Sequence, residues 1–145
     1  MADLPDLRSF VRAEAAPTPE RLVVRGGPDS AAKLRMHAER LRRAYLLDGA
    51  PVLGISVFAA FDDIGPASLD AILAAKLSTY RVVHLVSTAA VSTAGFDLVP
   101  TFGRPHMTLL LDDLDEVETL VEVLGPPEPN PQYGEVTRRS RRRPR

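Results

Sequence analysis

The chain has 145 residues, 45% apolar and 26% charged, which suffices for one hydrophobic core with terminal extensions. It has no cysteine, which excludes disulfides and thiolate metal sites. The net charge of -1 conceals a division: six of the 18 basic residues lie in 137–145 with no acid, leaving 12 bases against 19 acids elsewhere.

Residues 3–14 predict a short helix, with Asp3 as cap, Pro5 in the first turn, and Leu7, Phe10 and Val11 on one face. The N-terminus carries acids where a signal peptide carries bases, and no run of 18 apolar residues exists. A cytoplasmic protein without a membrane span is therefore expected. The two prolines of residues 15–20 mark a linker. Residues 21–25 predict a strand stopped by Gly26-Gly27-Pro28. Asp29 or Ser30 then caps a helix to about Leu47, with Leu34, Ala38, Leu41 and Tyr45 as its apolar stripe. Lys33, Arg35, Arg40, Arg42 and Arg43 fall off that stripe and read as a solvated face.

Residues 52–60 (VLGISVFAA) give the strongest strand signal and are too apolar for an edge. Gly65-Pro66 breaks the chain, and Ser68 caps a helix carrying Leu69, Ile72, Leu73 and Leu77. A strand over 80–86 and two helical turns over 87–94 follow, stopped by Gly95. The stretch 95–111 reads as strand, tight turn and strand. Asp112 or Asp113 then caps a final helix burying Leu114, Val117, Leu120, Val121 and Leu124. Prolines 126, 127, 129 and 131 predict an extended segment that can lie back on the domain through Tyr133.

This order predicts an α+β fold: a mixed sheet of about five strands covered by helices, ending in a β-hairpin and a helix. Residues 1–20 form an N-terminal helix and linker, 21–125 the compact domain, and 126–145 a Pro-rich segment and a disordered Arg-rich tail.

Few residues carry a chemical pattern. His37, His84 and His106 lack partners at zinc-ligand spacing, so no metal is expected. Asp62-Asp63 and Asp112-Asp113 stand at element starts, where capping is the simple reading. Gly26-Gly27 lies between a strand and a helix without a Walker or GxGxxG pattern; an anion could still sit there beside Arg25. His106 follows Gly103-Arg104-Pro105 and shares a strand face with Thr108.

Three resemblances follow. RLVVRGG, GISVFAA, AGFDLVPT, GRPHMTLLLDD and EPNPQYG, in that order, resemble uncharacterised small actinobacterial proteins often associated with mobile elements. Ala94-Gly95-Phe96 followed by Gly103 and His106 is similar to HicA-type mRNA interferase toxins. That resemblance implies RNA cleavage with His106 as general acid or base, although Arg104-Pro105 replaces the family's Gly-Ser before the histidine. Arg25-Gly26 ending a strand, a helix, then Gly54-Ile55-Ser56 looks like ADP-ribosyltransferases, implying NAD binding by Arg25 and Ser56. The late-strand catalytic Glu is missing, since Glu116-Val117-Glu118 reads as helix.

The expected function is that of an RNA-directed protein, a toxin-like ribonuclease of a mobile element, without a cofactor. His106 would move the proton, Arg104 would stabilise phosphorane charge, and Thr108 would stand beside them. Arg138, Arg139, Arg141, Arg142, Arg143 and Arg145 would bind RNA phosphates. Alternatives are ADP-ribosyl transfer at Arg25 and Ser56, and a non-catalytic adaptor. Expected partners are RNA, and a protein partner or antitoxin.

Overall fold

The computed structural model describes residues 4–7 and 17–134. Most of the predicted N-terminal helix and the whole arginine tail lie outside the described residues.

Strand β1 (Leu22–Gly27) runs two residues beyond the predicted stop, because Gly26 and Gly27 still pair with Val83 and Val82. Helix α1 (Ala31–Ala44) starts where the Ser30 hydroxyl accepts the Lys33 amide and ends three residues before the predicted Leu47. There β2 (Leu46–Leu47) and β3 (Ala50–Pro51) form a hairpin around Asp48-Gly49. Both turn residues have positive φ, 51° and 83°, the conformation that an Asp-Gly pair favours in two-residue hairpins. The Asp6 carboxylate accepts both turn amides, at 3.2 and 2.8 Å.

The remaining elements are β4 (Gly54–Ala59), α2 (Leu69–Lys76), β5 (Val82–Ser87), α3 (Thr88–Thr93), β6 (Asp97–Pro100), β7 (His106–Leu110), α4 (Val117–Leu124) and β8 (Glu128–Pro129). Ser68 caps α2 and Ser87 caps α3; Asp113 and Glu116 form a capping box on the 3-10 turn leading into α4.

The fold is α+β, with a six-stranded sheet ordered β6-β7-β4-β1-β5-β8. Every pairing within it is antiparallel, where a mixed sheet of about five strands was expected. Two features account for the difference. The Asp48-Gly49 hairpin adds a chain reversal between α1 and β4, and the Pro-rich segment supplies β8 as a sixth strand on β5. Asn130 anchors that segment: its side-chain amide donates to the Leu77 and Tyr80 carbonyls, both at 2.9 Å. Tyr133 lies under the Arg81 guanidinium.

Strand β4 is central, as its apolar sequence requires. Ile55, Val57 and Ala59 join Val23, Val86, Met107 and Leu109 on one face, packed against Leu34 and Ala38 of α1, Val91 of α3, and Leu120 and Leu124 of α4. On the other face Val24 and Val83 meet Ile72, Leu73 and Leu77 of α2 and its C-cap. Leu7, Leu41 and Val52 form a smaller cluster by the hairpin.

Gly54 permits the close β4–β7 approach. A Cβ there would stand 2.7 Å from the Leu109 carbonyl oxygen.

Strand β1 pairs with β5 along its whole length but with β4 only at Val23 and Val24. Beyond that point the two strands part, and side chains take over the hydrogen bonds of β4. Two of those side chains, Arg25 and His37, also line the cleft described next.

Candidate functional site

The free peptide groups of Ser56 are met from two sides. The His37 ring Nε2 accepts the Ser56 amide at 3.0 Å, and the Arg25 guanidinium donates to the Ser56 carbonyl at 2.7 Å. Arg25 also donates through Nε to Asp29 at 2.6 Å, a pair largely shielded from water. The Asp29 amide in turn donates to Nε2 of the buried His84 at 3.1 Å, and His84 Nδ1 donates to the Gly125 carbonyl at 2.9 Å. Strand β1, the loop before α1, β5 and the end of α4 are thus tied into one framework.

A cleft of about 300 Å³ lies over this framework. Arg25 and Asp29 line it from below, and Lys33, Met36, His37 and Arg40 line it from α1 at i, i+3, i+4 and i+7, one face of a helix. The Tyr80 ring closes the far side. It rests on Gly26, where a Cβ would stand 2.5 Å from the ring, yet 42% of the residue is exposed. Lys33 Nζ reaches only the Pro28 carbonyl, at 3.1 Å. The lining therefore carries three permanent cations against one carboxylate. His37 adds no charge at neutral pH: burial, followed by the nearby Arg25 and Arg40, pushes its pKa down to about 4.

His106 begins β7, opposite Phe58 on β4. Its Nδ1 is 2.8 Å from the Thr101 hydroxyl, which lies 2.9 Å from the hydroxyl of the fully buried Thr108. The rings of Phe58 and Phe102 stand edge-on to the imidazole at 5.4 and 5.1 Å, and Tyr45 meets Phe102 at 5.2 Å. Burial holds the His106 pKa below the usual histidine range against an opposing bond to the Thr101 backbone, and Lys76 also lowers it.

The expected partner of His106 is turned elsewhere. The Arg104 guanidinium lies 4.3 Å over the Phe61 ring and 3.6 Å from Asp62. His106, Thr101 and Thr108 form one hydrogen-bonded group, and Arg104 belongs to a different contact set. Asp62 and Asp63 are ion-pair partners of Arg104 and Arg21 rather than helix caps.

Arg25 and Ser56 do come together, but through the Ser56 carbonyl. Alternation with the buried Ile55 and Val57 sends the Ser56 hydroxyl to the opposite sheet face from theirs. Glu116 caps the turn before α4, and Glu118 pairs with Arg35, so the carboxylate that meets Arg25 is Asp29.

The five α1 bases, read as one solvated face, are divided by the structure. Arg35 pairs with Glu118, and Arg42 and Arg43 with Glu39, whereas Lys33 and Arg40 turn into the cleft. The signal was present as an acid-free stripe at 33, 36, 37 and 40. Tyr80 gave none, because its seat on Gly26 is a long-range contact.

Among the described residues no cluster of His, Asp or Glu is arranged to hold a metal ion, and no helix is long and apolar enough to cross a membrane. No family model, curated protein or solved structure matches this chain.

Proposed function

We propose that this protein binds single-stranded RNA, with the cleft between β1 and α1 as its structured contact surface. One observation carries the reading: Lys33 and Arg40 line one cleft together with Tyr80, an aromatic residue that is 42% exposed. Phosphates seek clustered cations, and unpaired bases stack on exposed aromatic rings regardless of sequence. The arginines of residues 137–145 add phosphate affinity of the same sequence-blind kind.

Binding is favoured here over cleavage. Arg104 is engaged with Phe61 and Asp62, and Thr108 is buried in a bond to Thr101, so the two groups expected to assist His106 in cleavage are committed to other partners. ADP-ribosyl transfer is likewise disfavoured, since Asp29 is spent on Arg25 rather than set opposite a ribose.

Fluorescence anisotropy with a labelled single-stranded RNA, titrated with salt, tests the reading. Affinity should fall log-linearly with salt, and Lys33→Glu combined with Arg40→Glu should weaken binding while leaving melting unchanged. No binding at low salt, or equal affinity of the double variant, would refute it.

A further inference from the structure

We propose that the cleft is a one-nucleotide pocket, with the base stacked on Tyr80 and the phosphate held by Lys33 and Arg40. This rests on the RNA-binding reading and adds the unit that is recognised: a single nucleotide that a free mononucleotide can replace.

Three features support it together. The cleft, at about 300 Å³, has room for one base with its sugar and phosphate. Its apolar and cationic parts are separated. The Tyr80 ring rests on Gly26 with 42% of the residue exposed, while Lys33 and Arg40 line the cleft from successive turns of α1. Met36 lies between those two bases on α1, 64% exposed, and adds a large apolar side chain to the same lining.

The floor is also rigid. Arg25 is fixed by Asp29 and the Ser56 carbonyl, and Asp29 is fixed by His84, so the carboxylate in the cleft is already neutralised by its own arginine. Lys33 and Arg40 are then the cations left for a phosphate. Arg40 makes no ion pair among the described residues, and Lys33 needs only to leave the exposed Pro28 carbonyl. None of this depends on the amides that open α1, where Ser30 already occupies the Lys33 amide.

The test is competition on the full chain. Labelled single-stranded RNA is displaced with adenosine 5′-monophosphate and, in parallel, with adenosine. The monophosphate should displace the RNA, and adenosine should do so at least tenfold less well. Tyr80→Ala should weaken the monophosphate about tenfold, as loss of one stacking partner predicts, while Tyr80→Phe retains it. Matched melting curves for the two Tyr80 variants separate lost stacking from misfolding. Should Tyr80→Ala prove unstable, Arg40→Gln, on the exposed side of the helix, tests the phosphate half by the same competition.

RNA that binds tightly but is not displaced by millimolar monophosphate would overturn the one-nucleotide pocket and leave RNA binding standing. Equal displacement by adenosine would overturn the phosphate assignment. Failure of any RNA to bind would remove both.

Discussion

The peptide unit of Ser56 is where the structure departs from a regular sheet, and it is His37 that completes it. Nε2 must keep its lone pair to accept the Ser56 amide, so protonation of His37 opposes the fold. The folded pKa, about 4, lies below the ordinary 6.5, so the unfolded chain binds more protons between these values. The contribution is complete above pH 6.5 and is lost as pH falls towards 4. A full drop of that size corresponds to ~3 kcal/mol, and screening at a half-buried ring reduces it to about 1–2 kcal/mol. His106 shifts in the same direction and adds to the acid side of the curve. His37→Gln offers an amide oxygen to Ser56 without titrating. Urea unfolding at pH 4.5 and pH 7 should show a smaller pH difference in this variant than in the parent; an unchanged difference would mean that the Ser56 contact is not the titrating feature. Thr101 is the second residue of this kind, 1% exposed and holding both His106 and Thr108. Thr101→Val should destabilise by ~1–3 kcal/mol, because two polar groups lose their partner. Adding Thr108→Val should recover part of that loss in the same unfolding measurement.

Among the elements, β4 carries most of the architecture. It pairs with β7 on one side and β1 on the other, and its odd-numbered residues sit in the main core. Ile55 is fully buried there among side chains from helices and neighbouring strands. Ile55→Ala should therefore cost roughly 2–4 kcal/mol by leaving a cavity, read from chemical denaturation; a loss below about 0.5 kcal/mol would contradict its central place. Helix α1 does two jobs with two faces. Leu34 and Ala38 pack in the core, while Lys33, Met36, His37 and Arg40 line the cleft. The early parting of β1 from β4 leaves the Ser56 peptide to Arg25 and His37, two residues that also line the cleft.

At the scale of the whole molecule, charge is distributed in opposition: 19 acids and 12 bases in the body, six arginines in residues 137–145. On the proposed function, a polyanion is drawn to the cleft and to the arginines of residues 137–145 against the net negative charge of the remainder. Deleting residues 137–145 should leave the melting temperature unchanged and weaken RNA binding. The log–log salt slope should fall by ~0.7 for each arginine that had met a phosphate. Equal affinity at low salt with and without residues 137–145 would assign the binding to residues 1–136 alone.

Much of the fold was legible along the chain because its causes are local. Ser30, Ser68 and Ser87 cap helices through amides three residues ahead, and the largely apolar run around Ile55 marks a central strand. The Asp48-Gly49 hairpin was equally local and was overlooked because the apolar stripe of α1 continues to Tyr45 and draws the helix too far. The candidate site belongs to the other class. The partners of the Ser56 peptide lie 31 and 19 residues away, and His84 lies 55 residues from the Asp29 amide it accepts. The sequence alone determined most of the helices and the long strands, since these depend on neighbouring residues and on burial period, whereas β8 is a strand only through its pairing with β5. Only the tertiary structure decided which of five α1 bases face a cleft and that Arg104 turns from His106 to Asp62, because those outcomes depend on distant groups meeting in space.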